Sequence, residues 1–192
     1  MSKPDCFIET CLQSEVVFSG RLLHVLRDKV ALPGGGISQR EFIRHPGAAV
    51  VIPYLENRRL LLVRQFRYPT GEVMIELPAG KIDGGESPEE TTRRELAEET
   101  GFTPGRLFHL AMIHPCVGYS NEQLHLFWVD HLLPAASAPD DDEHIEPLTV
   151  SIDEALQLLF SGRITDAKTV IGLFWAERLL NDAFFRRQCG ID

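Results

Sequence analysis

The sequence predicts an α/β protein in which a mixed sheet is sandwiched between helices, preceded by an antiparallel strand region. Three observations predict it. Strand-like segments come first, then a strand, a glycine-broken loop and a capped helix, then more strands, and two helices close the chain. Leu60-Leu61-Leu62-Val63 is continuously apolar rather than alternating, as expected of a strand buried on both faces by flanking helices. Finally, Gly80 to Phe102 reads as a tight loop running straight into a helix with its own start and stop signals.

Size and charge narrow the function. A chain of 192 residues suits one domain with room for a small appendage. It is long enough to bury about 70% of its unfolded surface without a staple. A net charge of −9 argues against a nucleic-acid duplex or an anionic membrane as partner, since both reward Lys and Arg. A small phosphate ligand stays compatible with that charge. Cys6, Cys11, Cys116 and Cys189 form no CxxC pair, so reduced thiols are expected. Met1-Ser2-Lys3-Pro4-Asp5 lacks the apolar run of a signal peptide, and no stretch approaches membrane-spanning length. The expectation is a cytoplasmic protein.

In chain order, residues 1–13 read as an irregular lead-in. Val16-Val17-Phe18, Leu22 to Leu32 and Ile37 to His45 read as strands, with turns at Ser19-Gly20 and Pro33-Gly34-Gly35-Gly36. The glycine triplet lacks the Lys-Ser/Thr and helix of a P-loop, so a hairpin turn is expected. Pro46-Gly47 marks a boundary between a region 1–45 and a domain 46–192. Ala48 to Leu55 and Leu60 to Tyr68 are strands around a turn at Glu56-Asn57-Arg58, and Met74 to Leu77 is a short one. Leu107 to His114, Leu124 to Val129 and Ile145 to Val150 are strands, with a loop from Leu133 to Asp142. Ser151 or Asp153 caps a helix through Phe160. Thr165 or Asp166 starts a last helix whose Val170, Leu173, Phe174 and Leu180 form an apolar stripe, with Trp175 in core or dimer packing. Phe7, Phe18 and Phe42 are stacking candidates whose default place is the core.

The loop and helix at 80–102 carry the chemistry. Gly80, Gly84 and Gly85 let the backbone turn and approach a ligand. Ser87, Pro88 and Glu90 make an N-cap, a first helical residue and a capping box, and Gly101 closes the helix. Glu95, Glu98 and Glu99 stand at i, i+3 and i+4, so their carboxylates share one face and repel. Hard oxygen ligands so gathered favour Mg²⁺, Ca²⁺ or Mn²⁺ over zinc. A solvated acidic face is the plain alternative.

Gly, five residues, Glu, seven residues, then Arg94-Glu95-Leu96-Ala97-Glu98-Glu99-Thr100-Gly101-Phe102 resembles the Nudix box at every fixed position. The resemblance implies an α/β/α sandwich and divalent-metal hydrolysis of a nucleoside diphosphate linked to another moiety. Glu76-Leu77-Pro78-Ala79-Gly80 and Arg64-Gln65-Phe66-Arg67 resemble the ADP-ribose pyrophosphatase and nucleotide-sugar branch. In that branch the strands before residue 46 build an intertwined homodimer. Carried over, the resemblance implies metal ligands at Ala79 (carbonyl), Glu95, Glu99 and Glu143. It implies a general base at Glu143 or Glu98, with Asp141 and Glu146 as fallbacks for Glu143. It also implies substrate contacts at Arg67, Gly118, Glu122 and Glu76, although Glu76 could instead orient Arg67. Arg94 and Glu86 would tie the helix to the loop. Val117 stands where the ADP-ribose subtype carries proline. The expected reaction is Mg²⁺-dependent (or Mn²⁺-dependent) hydrolysis of ADP-ribose to AMP and ribose 5-phosphate. Alternatives are another nucleotide sugar or dinucleotide, such as GDP-mannose or NADH, and more remotely a non-catalytic ADP-ribose or NAD-metabolite sensor.

Overall fold

The computed structural model describes residues 7–136 and 144–192. These divide into two compact units, one made of the chain up to Pro46 with Cys116–Gln123, the other of Gly47–Pro115 with Leu124–Asp192.

The first unit is a three-stranded antiparallel sheet. Its strands β1 (Thr10–Ser19), β2 (His24–Ala31) and β3 (Ile37–Ile43) lie in sequence order. The Pro33–Gly36 turn closes with Gly35 N–H donating to the Leu32 carbonyl, and Gly35 and Gly36 hold φ of 87° and 96°, which a side chain would resist. β1 is exposed along its whole length, Leu12, Val16, Val17 and Phe18 included. Its pairing with β2 is shifted twice, between Cys11 and Gln13 and between Val16 and Phe18. Cys116–Gln123 docks on the end of β3. A parallel bridge joins Ile43 to Ser120, and the His45 N–H donates to Asn121 Oδ1 at 2.7 Å.

In the second unit β4 (Ala48–Leu55) and β5 (Arg59–Arg67) form a hairpin, followed by β6 (Glu72–Glu76), β7 (Ala79–Lys81) and α1 (Pro88–Thr100). Then come β8 (Phe102–Thr103), β9 (Arg106–Ile113), β10 (Leu124–Asp130), β11 (Leu133–Pro134), β12 (Ile145–Ser151), α2 (Ile152–Phe160), α3 (Ala167–Asn181) and α4 (Ala183–Gln188). The turn spans Glu56–Arg58 between the paired Leu55 and Arg59, and Asn57 and Arg58 in it hold left-handed φ of 61° and 57°. The sheet order is β12-β5-β4-β10-β9, with β6 on β5 and β7 on β4. It is mixed, because β10 runs parallel to β4 while every other pair in it is antiparallel. β4 pairs with β5 only at Tyr54–Leu60 and Leu55–Arg59. Beyond that the two strands part, β4 taking β7 and β5 taking β6.

Both faces of the sheet are covered. Val50, Ile52, Leu60, Leu62, Leu126 and Trp128 pack with Leu173, Ala176 and Leu179 of α3 and with α2. Val51 and Val129 point the other way, onto Leu96 of α1. The alternation along β4 is the strand period of two, and it accounts for the apolar run at Leu60–Val63, all of it buried. The α/β/α sandwich expected from the sequence is the one observed. Helix caps follow the sequence: Ser87 and Ser151 each form a capping box, Asp166 accepts from the Thr169 N–H, and Gly101 closes α1 at φ 74°.

Several expectations are corrected. Residues 10–13 belong to β1, because pairing with β2 extends to Thr10–Ala31. Phe7, ahead of β1, and Phe18, on β1 at the edge of its sheet, are both exposed rather than in the core. Phe174 is exposed, and the buried stripe of α3 runs through Thr169, Gly172, Leu173, Ala176 and Leu179. Trp175 packs at the margin of the core with its ring 5.5 Å from Phe185. Leu133–Pro134 pairs with β8, and α4 had no forecast of its own.

Candidate active site

Everything at the site in the second unit hangs on the parting of β4 and β5. β7 pairs with the first residues of β4, Ala79 against Val50 and Gly80 against Ala49. The box loop therefore leaves the edge of that strand and returns as α1 across the same face. α1 presents Glu95 and Glu99 back towards β7, with Glu98 beside them on Arg94. The Ala79 N–H donates to Glu99 Oε2 at 3.2 Å, and Glu99 is 7% exposed. A Cβ on Gly80 would fall 1.8 Å from Glu95 Oε1, so the first box position accepts only hydrogen while Glu95 holds its place.

Arg94 binds this acidic face together. Its Nη1 donates to Glu95 Oε1 at 2.7 Å and to Glu98 Oε2 at 3.0 Å. Its Nε and Nη2 grip Glu86 at 2.9 and 3.0 Å, and Nη2 also reaches the Lys81 carbonyl at 3.1 Å. The Arg94 hydrogen bonds, with one from the Thr91 hydroxyl, lower the Glu86 carboxyl to a pKa of about 2. The carboxylates in turn raise the Arg94 guanidinium above its ordinary value, Glu86 foremost. One guanidinium thus offsets the repulsion among the glutamates and pins loop to helix.

The second cluster lies where β5 and β6 pair. Arg67 and Glu76 form a two-pronged ion pair, Nε to Oε1 at 2.7 Å and Nη2 to Oε2 at 2.9 Å. Glu76 is 2% exposed, and Lys168 Nζ, at the start of α3, donates to the same Oε2. Burial pushes the Glu76 carboxyl up, but the Arg67 hydrogen bonds and the Lys168 charge outweigh it and the net shift is downward. Lys168 also donates to Asp166 Oδ2 at 2.9 Å. Asp166 accepts from the N–H and the hydroxyl of Thr169, at 3.0 and 2.6 Å, and Thr169 Oγ1 accepts from the Leu77 N–H at 2.9 Å. Sequence reasoning missed Lys168, Asp166 and Thr169 as site residues. They stand some ninety residues beyond Glu76, and no local pattern links them.

Of the residues singled out in the sequence, the second unit brings together Ala79, Glu86, Arg94, Glu95, Glu98 and Glu99, and couples Arg67 to Glu76. Gly118 and Glu122 belong to the first unit. There Glu122 Oε1 lies 3.8 Å from His45 Nδ1, and its N–H donates to Ser120 Oγ at 3.1 Å. Gly118 has open space around it, so it is not required sterically. Glu143 and Asp141 lie outside the described residues. Glu146 pairs with Arg64 on the exposed β12–β5 edge, Nη1 to Oε2 at 2.9 Å.

The donors suit a hard cation. They are carboxylate and carbonyl oxygens, no imidazole or thiol stands among them, and the Gly80 position keeps a side chain off Glu95. Among the described residues no three ligating side chains already converge on one point, consistent with Arg94 drawing Glu95 and Glu98 to itself.

Comparison with known proteins agrees with this geometry. The family model described as "NUDIX domain" matches residues 43–171. The chain belongs to the Nudix family. A second model, "Nucleoside diphosphate sugar hydrolase N-terminal domain", matches residues 9–43 of this Nudix protein. An ADP-ribose pyrophosphatase of Bacillus subtilis (strain 168) is 36% identical over 86% of this chain and 90% of its own. A GDP-mannose pyrophosphatase of Pectobacterium atrosepticum is 32% identical over 89% and 93%. The crystal structure of an ADP compounds hydrolase superposes with a TM-score of 0.84 at 24% identity, covering 95% of this chain and 99% of that one, and shows the same Nudix fold. With its box complete, the protein is a Nudix hydrolase.

Proposed function

We propose that this Nudix hydrolase cleaves the diphosphate bond of ADP-ribose, giving AMP and ribose 5-phosphate. The observation that carries the reading is the complete carboxylate face of α1, laid against Ala79 and Gly80 and held by Arg94. The relatives named for ADP-ribose support the substrate, and those named for GDP-mannose support a second nucleotide sugar as the alternative. Retention of every box carboxylate speaks against a sensor without activity.

Glu95, Glu99 and the Ala79 carbonyl would hold the divalent ion, Mg²⁺ first and Mn²⁺ second, with Glu143 completing the set. When bound, that ion supplies charge neutralisation and Lewis acidity at the diphosphate. Arg67 presents the rest of its guanidinium to a phosphate oxygen while Glu76, buried beneath it, fixes its direction. Glu76 thus acts through Arg67 instead of touching substrate. Water adds to one phosphorus, the bond to the bridging oxygen breaks in line, and the other phosphate leaves. Glu98 or Glu143 takes the proton from that water. Glu98, partly exposed beside Glu95, has the access such a role needs.

The reading extends to assembly and place. A homodimer formed through the N-terminal strands is supported by the unbroken exposure of β1 and its apolar residues. No helix among the described residues is long and apolar enough to cross a membrane, and Cys11, Cys116 and Cys189 are unpaired, as a cytoplasmic setting would keep them.

The test is a substrate panel of ADP-ribose, GDP-mannose, UDP-glucose and NADH with Mg²⁺ or Mn²⁺, reading phosphate-containing products. ADP-ribose is expected to give the highest kcat/KM, and Glu99→Gln to lower kcat by orders of magnitude with the fold intact. Preference for another member of the panel, or a fully active Glu99→Gln, overturns the reading.

A further inference from the structure

The Arg67–Glu76 pair poses an electrostatic problem. A guanidinium that donates two of its hydrogen bonds to one carboxylate is locally neutral, and a neutral pair attracts a phosphate weakly. Glu76 is moreover deep in the protein, at 2% exposure, where an unbalanced negative charge acts over distance with little screening. Lys168 resolves this. Its side chain, from the first turn of α3, is 13% exposed and donates to Glu76 Oε2, the oxygen that also accepts from Arg67 Nη2. Two cations then share one buried anion.

Resting on the nucleotide-diphosphate reading above, we propose that Lys168 is a positioning residue for the phosphate clamp: it balances Glu76 so that the charge of Arg67 stays available to the substrate. Asp166 holds Lys168 in turn, and it caps α3 with the same oxygen. The capped helix end, positive by its dipole, offsets Asp166, so the cluster keeps its cationic bias at Arg67. Thr169 extends the arrangement to the box. Its hydroxyl donates to Asp166 and accepts the N–H of Leu77, two residues before Ala79. The first turn of α3 therefore anchors both the clamp strand and the strand that enters the metal-binding loop. Nothing else among the described residues bonds to the Glu76 carboxylate besides Arg67 and Lys168.

The test uses the full chain as wild type, Lys168→Met, Lys168→Arg and the double variant Glu76→Gln/Lys168→Met. Michaelis constants and kcat are measured for ADP-ribose and GDP-mannose, with the thermal midpoint of each protein as a fold control. Lys168→Met is expected to raise KM on the order of tenfold, the effect of one unit charge a few ångströms from a phosphate in a partly screened site, with a smaller change in kcat. Lys168→Arg restores most of the affinity. The double variant, which removes the unbalanced carboxylate charge with the lysine, binds better than Lys168→Met alone. A purely structural lysine would lower the thermal midpoint and leave KM within twofold, and that result overturns the inference. If wild type turns over neither nucleotide sugar, the functional reading fails by itself, and the four proteins are titrated with inorganic pyrophosphate. A dissociation constant weakened in Lys168→Met and restored in Lys168→Arg sustains the role of Lys168, and an unchanged one overturns it.

Discussion

Gly80→Ala separates a residue needed for the site from one needed for the fold. Gly80 does not occupy the left-handed region, so alanine meets no backbone penalty there, and stiffening the unfolded chain favours folding by about 0.4–1 kcal/mol. The new methyl, however, would lie 1.8 Å from Glu95 Oε1 and 1.9 Å from its Cδ. To reach even a tight contact near 3.0 Å the carboxylate must retreat by more than about 1 Å. It is the far end of a flexible side chain, so it can swing aside. In doing so it gives up the 2.7 Å contact with Arg94, a partly exposed pair of roughly 0.2–1 kcal/mol. These two terms oppose, and net stability should change by less than about 1 kcal/mol. Function should not escape so lightly. A metal ligand displaced by this much is expected to lower kcat/KM by roughly a hundredfold and raise the Mg²⁺ concentration for half-activation about ten- to a hundredfold. Urea denaturation and Mg²⁺ titrations of initial rate measure the two sides. Wild-type Mg²⁺ dependence in Gly80→Ala would refute the placement of Glu95 in the metal site. A stability loss of several kcal/mol would refute the claim that the glycine serves the site and not the fold.

Three other perturbations follow from the same geometry. Because Glu86 is held down to about 2 by Arg94, its contribution to stability is present above its unfolded value near 4.5 and fades as pH falls towards 2. In Arg94→Met the acid limb of a denaturation-against-pH curve should be shallower across that window, and an unchanged limb would contradict the pairing. Gly172→Ala puts a methyl 2.2 Å from Leu77 Cδ1, so overpacking should destabilise by about 1–3 kcal/mol despite the better helix propensity of alanine, as a lowered denaturation midpoint would report. Deleting residues 1–45 removes Ile43 and His45, the partners of Ser120 and Asn121, together with β1. Gel filtration and activity should both show loss, and a fully active monomer would contradict the dimer proposal.

Local signals carried a large share of the fold because they act within one element. The capping boxes at Ser87–Glu90 and Ser151–Glu154, the turns at Pro33–Gly36 and Glu56–Arg58 and the doubly buried run at Leu60–Val63 all depend on near neighbours. The same holds for the box. The spacing of Glu95, Glu98 and Glu99 is a property of one helix, and the reach of Arg94 back to Glu86 spans only eight residues, from that helix to the loop just before it. The exposed β1 was harder to read. Its apolar residues look like core until the tertiary structure shows an edge strand with no cover among the described residues.

The chemistry is written in the order of the residues: a glycine that admits a carboxylate, three acidic groups on one helical face, and an arginine spaced to hold them. How that chemistry is braced follows from the packed fold. β4 and β5 part after two residue pairs, and this lets β7 bring Ala79 and Gly80 under α1 while β6 brings Glu76 under Arg67. Lys168 arrives from a helix ninety-two residues further along the chain. Long-range charge pairing leaves no periodicity to read, because what selects the lysine is a buried carboxylate whose burial exists only once the sheet and α3 have packed.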